Sequence, residues 1–280
     1  MAQITSTVRD VLVHVDASRG GRARIVLAAE LANRVGARLS GMHVMPPADV
    51  PHRYRPGDVQ AAWISMTVRL AREARECAEI FSAEAKRAGA TSMWSDAAGD
   101  VAQEICRRAR YTDLVVVGQY ERQEPVERHP LPIANAVVLR CGRPVLVVPE
   151  DASSISLEKV VIAWDGSREA VRSVNDALPL LALSHLVRIL KIVPPSGPAE
   201  PADSDDLAAH LVRHGVRVEP DSLGMKTAAE HAHLRDQIGQ GGYDLAVMGA
   251  YSHPPWFEFV FGGATQSILS SSVIPVLVSH

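Results

Sequence analysis

Positive charge is not in excess in this chain: 29 Lys and Arg stand against 32 Asp and Glu, a formal charge of −3. That removes the basic footprint a nucleic-acid binder needs. Long apolar runs are missing too. No stretch approaches the roughly 20 residues that span a bilayer, and the N-terminus, MAQITSTVRDVLVHV, passes almost at once into a strand pattern instead of a charged-then-apolar leader. A cytoplasmic protein without a membrane partner is expected. Cysteine is scarce, and Cys77, Cys106 and Cys141 form an odd, scattered set with no CxxC. Reduced core or helix-face thiols fit that pattern better than a disulfide framework or a zinc site. No lysine follows any glycine, so the Walker loop Gly-x4-Gly-Lys-Ser/Thr is absent. The Gly-x-Ser-x-Gly elbow is absent as well, which leaves Ser252, His253 and Asp165 without the turn of a hydrolase triad. His231 and His233, two residues apart on an expected helix, face different ways and do not suit a metal.

What is present is ordinary globular composition, written twice. With 47% hydrophobic and 22% charged residues over 280 positions, the chain has room for about two domains with real cores. LVHVDAS (Leu12–Ser18) matches VIAWDGS (Val161–Ser167), and GMHV (Gly41–Val44) matches LKIV (Leu190–Val193), both at an offset of 149. DLVVVGQY (Asp113–Tyr120) matches DLAVMGAY (Asp244–Tyr251), and PVLVVP (Pro144–Pro149) matches PVLVSH (Pro275–His280), both at 131. The drop between the offsets means that the second copy has lost 18 residues in its middle. This is a tandem duplication. The small, polar run Glu150–Leu157 between the copies sets the expected boundary, with domains over 1–150 and 151–280.

Each copy alternates short β-branched runs with helical periodicity, the pattern of a parallel sheet covered by helices. In the first, Val11–Val15 reads as a strand buried on both faces. Ser18 is expected to cap a helix carrying Ile25, Ala28, Ala29, Ala32 and Val35 on one face, and Gly36 to stop it. A helix over about Gln60–Arg87 is expected to bury Ile64, Val68, Ala71, Ala74, Ala78, Phe81 and Ala85, with Arg69–Glu73, Arg72–Glu76 and Arg75–Glu79 as a solvated face. In the second copy a helix starts at Ser167, and Pro179 is expected to bend it or displace its last turns. The fifth strands, Val145–Val148 and Val276–Ser279, are apolar edges that invite pairing with each other.

The stretch Tyr243–Thr265 runs strand, Gly249, loop, Gly262-Gly263, helix start. Glycines let backbone approach an anion closely, and unpaired N–H groups at a helix N-terminus attract it. The first copy keeps Gly118 but has Glu121 three residues on and no glycine over 122–136, so its carboxylates would repel a polyphosphate. Trp256, Phe257, Phe259 and Phe261 have no basic residues between them, which suits a packed lid better than a base-stacking platform.

Taken together, these features resemble a tandem universal stress protein over nearly the whole chain. The resemblance implies an α/β fold of two Rossmann-like domains of the adenine nucleotide alpha hydrolase type, each a five-stranded parallel sheet of order 3-2-1-4-5 flanked by helices. In the ATP-binding branch of that family Gly-x2-Gly-x9-Gly-Ser/Thr follows the fourth strand. Here Gly249, Ser252, Gly262 and Gly263 stand in those four places, and Thr265 lies two further on. The resemblance assigns Asp165 to the adenosine, the backbone of Ile192 to the base, and Gly249, Ser252, Gly262, Gly263 and Thr265 to the phosphates. It implies ATP, with or without magnesium, as a regulatory or sensing ligand of the second copy. It also implies an intramolecular pseudo-dimer through the fifth strands, with a further homodimer as an extension of it. Two alternatives are a scaffold of the stress response that binds no nucleotide and a weak ATP hydrolase, for which no catalytic residue is identified.

Overall fold

The β-branched runs do become strands, and the segments between them helices. The computed structural model describes residues 8–46, 56–119, 132–152, 154–192, 204–220, 230–251 and 264–280. The first copy contributes β1 (Asp10–His14), α1 (Gly21–Val35), β2 (Arg38–Met45), α2 (Pro56–Ala88), β3 (Ser92–Ala98), α3 (Val101–Ala109), β4 (Leu114–Gly118), α4 (Ile133–Arg140) and β5 (Val145–Val148). The second contributes β6 (Lys159–Trp164), α5 (Arg168–Leu181), β7 (Leu186–Lys191), α6 (Ser204–Arg213), β8 (Val218–Pro220), α7 (Glu230–Gln240), β9 (Leu245–Gly249), α8 (Ala264–Ser271) and β10 (Val276–Ser279). The third strand of the second copy spans three described residues.

The ten strands form one sheet of order β3-β2-β1-β4-β5-β10-β9-β6-β7-β8. Within each copy the order is 3-2-1-4-5 and every pairing is parallel. The one antiparallel pairing joins the copies: Val276 stands opposite Val147, Leu277 opposite Leu146 and Val278 opposite Val145. Helices α1, α2, α5 and α6 pack over one face of the sheet, and α3, α4, α7 and α8 over the other. Leu146 and Leu277 belong to the first core, and Val145, Val147, Val276 and Val278 to the second. Both cores therefore run through the seam without interruption.

Several local expectations are corrected. Ser18 does not cap α1; Asp16 takes its N–H and hydroxyl, and Gly20 becomes the cap residue without a side-chain bond. Gly36 does stop α1, with φ +71° and its N–H reaching back to Asn33 and Ala32 carbonyls. In the second copy Ser167 caps α5 as expected, accepting the Ala170 N–H at 3.1 Å. Pro179 lies within α5, which continues to Leu181, so the helix is carried past a residue that supplies no N–H to its ladder. The first half of α2 does not reach the core. Ile64 and Val68 are 51% and 64% exposed, and full burial begins only at Cys77. A helix of 33 residues is about 50 Å long, roughly twice the span of the eight-residue strand β2. Of its three expected ion pairs the Arg72–Glu76 bond is present at 2.7 Å, whereas Glu73 turns toward His43.

The seam is the testable feature. Leu146 and Leu277 are both essentially inaccessible. Each Leu→Ala change is expected to cost about 3 kcal/mol of unfolding free energy. Because the two side chains share one layer, the double variant should cost measurably less than the sum of the two. Urea unfolding followed by circular dichroism checks this, and strict additivity would mean that the two side chains do not support each other.

Candidate functional site

The site follows from where the crossovers diverge. In the second copy α5 and α6 cover one face and α7 and α8 the other, so connections leave β6 and β9 in opposite directions. The resulting crevice at the C-terminal strand ends is where open α/β sheets take ligands. Register puts Trp164 beside Lys191 and Ala163 beside Met248. One step on, Asp165, Ile192 and the Gly249–Ala250 pair therefore form a row across the tips of β6, β7 and β9.

Each member has a local reason for its position. Asp165 ends β6 in a turn whose Gly166 has φ +74°, and its carboxylate accepts the Ser167 N–H at 2.9 Å. The Ile192 N–H donates to the Trp164 carbonyl at 2.7 Å, fixing the tip of β7 against β6. Thr265 sits in the first turn of α8, buried, and its hydroxyl oxygen accepts the Tyr251 N–H at 3.3 Å. That bond closes the neck between β9 and α8. Gly249 is glycine for a packing reason: a Cβ there would lie 2.5 Å from the Ala170 nitrogen and 2.8 Å from the Glu169 carbonyl carbon. Its lack of a side chain lets the first turn of α5 press onto the strand tip. Ser252, Gly262 and Gly263 lie outside the described residues, as do His253 and the aromatic run Trp256–Phe261.

The first copy has the same crevice and fills it. Arg24, on the inward face of α1 and 3% exposed, donates from Nε to the His14 carbonyl at 2.8 Å and pairs through Nη2 with Asp16 at 2.7 Å. Its Nη1 lies so close to Gly118 that a Cβ on that glycine would come within 2.0 Å of it. Gly118 therefore accommodates a guanidinium, in the place corresponding to Gly249. His14 lies 3.4 Å from Asp16. Buried His43 stands 4.0 Å from Glu73 on one side and 4.0 Å from Asp96 on the other. Burial drives the His14 pKa down to about 4, against the attraction of Asp16, so its ring is neutral at neutral pH. Burial also works to raise the Asp16 pKa, but Arg24 with His14 and Ser18 holds it below the usual carboxylate range.

Sequence reading did not single out His14, Arg24 or His43. The signal lay in comparing the copies, since their counterparts at offset 149 are Ala163, Ser173 and Ile192. At His14 and His43 a polar residue interrupts an apolar strand in one copy and not in the other, and at Arg24 a long cation stands where the other copy has a serine. Ser173 shows what the second copy does instead: its hydroxyl donates to the Met248 carbonyl at 2.6 Å and accepts the Ser279 N–H at 2.7 Å, tying α5 to two strands. The three cysteines are free thiols. Burial raises the pKa values of Cys77 and Cys106 to about 11, and raises that of Cys141, which makes all three poor nucleophiles. Among the described residues no cluster of His, Cys, Asp and Glu is arranged to hold a metal ion, and no helix is long and apolar enough to cross a membrane.

The sequence model of the universal stress protein family matches residues 7–149. No curated protein matches the chain. Among solved structures, a universal stress protein from Archaeoglobus fulgidus DSM 4304 aligns over 96% of this chain and 95% of its own, with TM-score 0.75 and 16% identity. A putative universal stress protein from Pseudomonas aeruginosa UCBPP-PA14 aligns over 98% of this chain and 94% of its own, with TM-score 0.56 and 13% identity. At these identities the likeness is one of fold.

The buried cluster makes stability fall with acid. The unfolded chain takes up a proton at His14 near pH 6.5 and the folded chain only near pH 4. Between those values the unfolded state binds more protons, so lowering the pH costs about 3 kcal/mol, and that loss is complete below pH 4. Asp16, depressed in the fold, adds its own loss as pH falls below about 3.9. Urea midpoints from pH 7 to pH 4 for the wild type and His14→Leu check this; equal pH slopes in both would remove His14 as the source.

Proposed function

The chain belongs to the universal stress protein family, and on that footing we propose that its second copy binds ATP as a regulatory or sensing ligand in the crevice at the tips of β6, β7 and β9. The observation that carries this reading is the contrast between the two crevices. Asp165, Ile192 and Gly249 line up at the switch point of the second copy with Thr265 at the adjoining helix start, while the same place in the first copy is occupied by Arg24. Asp165 is suited to hydrogen-bond the ribose or base, the backbone at Ile192 to meet the base, and the first turn of α8 to receive the phosphates. Magnesium carried in with the nucleotide would reduce the charge that the site must balance. The first copy, by this reading, is a fixed structural partner.

The wider organisation follows from the same reading. The domains divide at 150/151, the β5–β10 pairing serves as the dimer interface of two family domains within one chain, and the protein acts in the cytoplasm. A homodimer of such chains is an extension of the proposal. One observation favours a scaffold that binds no nucleotide: the backbone of α5 already fills the space over Gly249, and buried Glu169 packs against it.

Denaturing the purified protein and identifying released nucleotide, followed by calorimetric titration with ATP, decides between the two. Bound adenine nucleotide is expected. Asp165→Ala is expected to weaken ATP about tenfold or more by removing a charge-assisted hydrogen bond, and Gly262→Glu to abolish binding with the fold retained. No released nucleotide and no binding in titration would leave the scaffold reading.

A further inference from the structure

We propose that Asn135, in the first copy, is a positioning residue for the phosphate end of the second copy's site; this rests on the nucleotide reading above. Tyr251 is the residue from which the inference starts. It follows β9 directly and has φ +58°, a left-handed conformation that aromatic side chains rarely adopt and that persists only where surroundings over-determine it. The structure supplies those surroundings from three sides. The Tyr251 N–H donates to Thr265 Oγ1 at 3.3 Å. Its ring stands edge-on to His280, centroids 6.2 Å apart at 83°, and His280 Nδ1 is 3.0 Å from the Ala250 carbonyl oxygen. Its hydroxyl accepts a hydrogen bond from Asn135 Nδ2 at 2.7 Å.

The last of these contacts crosses the seam. Asn135 is 5% exposed in the first turn of α4, and at offset 131 its counterpart is Gln266, next to Thr265 in the first turn of α8. The helix starts that follow the two motif loops therefore meet near the seam, and α4 packs against α8. A buried amide that donates one short bond to a phenol fixes where that phenol stands. The phenol is rigidly joined to the backbone whose N–H holds Thr265. Asn135 thus sets the neck that ties the end of β9 to the start of α8, and the two copies are coupled there and not only along β5 and β10.

The test uses the full chain with three variants: Asn135→Ala, Asn135→Asp and Tyr251→Phe. Aspartate keeps the size and accepts a bond from the phenol, reversing donor and acceptor. Amide hydrogen exchange is measured first, without nucleotide. Asn135→Ala and Tyr251→Phe are expected to speed exchange at Tyr251 about tenfold while β1–β3 stay unchanged, and Asn135→Asp to restore most of the protection. ATP affinity should fall about tenfold in the first two and recover in the third. Unchanged exchange at Tyr251 in Asn135→Ala overturns the proposal, as does faster exchange with ATP affinity equal to wild type. If the wild type binds no ATP, the nucleotide reading fails by itself, and the exchange data alone decide whether Asn135 holds the neck.

Discussion

The antiparallel pairing of β5 with β10 is the constraint on which the rest of the architecture depends. Each copy alone would end in a four-residue, predominantly apolar strand with one row of backbone donors and acceptors unpaired. Such an edge recruits other chains indiscriminately unless something covers it. Pairing the two edges satisfies both, merges both cores across the seam and, among the described strands, leaves β3 and β8 at the ends of the sheet. It also fixes the two crevices relative to each other, because β4 and β9 are the strands next to the joined pair. The proximity of Tyr251 to Asn135 is a direct product of that geometry.

Features decided by local chemistry were readable in advance. Val145–Val148 and Val276–Ser279 are strands to the residue because apolar, β-branched runs between turn residues have few alternatives. Gly36 stops α1 because a left-handed position favours glycine. The same tripeptide pattern, Asp-x-Ser, nevertheless resolves differently in the two copies. At Ser167 the serine caps the helix; at Ser18 the aspartate captures the serine, and Gly20-Gly21 delays the helix start. The extent of α2 burial could not be read either, since periodicity identifies a face but not how far the underlying sheet extends.

The candidate site could be expected as a place and not as an arrangement. The family resemblance pointed to Asp165 and the strand-glycine-loop order to Gly249, and the fold puts the two residues at the tips of β6 and β9. What Gly249 touches depends on how closely α5 approaches, which no local pattern encodes. Arg24 is the larger omission. On α1 it looks like one more charged residue near a helix start, and only the tertiary fold turns it inward onto Asp16 and Gly118. The copies share an order of elements and differ at the tips of their first and fourth strands: in the first, Arg24 pairs with Asp16 beside buried His14, and in the second the first turn of α5 presses onto Gly249.

Arg24 lying on Gly118 has a consequence for how the chain responds to concentration. A symmetric pair of identical domains offers two equal crevices, so half-filled states exist and binding at one can bias the other. Here one crevice is closed by a tethered group that cannot diffuse away, present at the high effective concentration of any intramolecular partner. On the proposed reading a ligand enters the second crevice once per chain, and the saturation of a single chain would then follow a simple hyperbola, graded over a wide range of concentration instead of switching sharply at one.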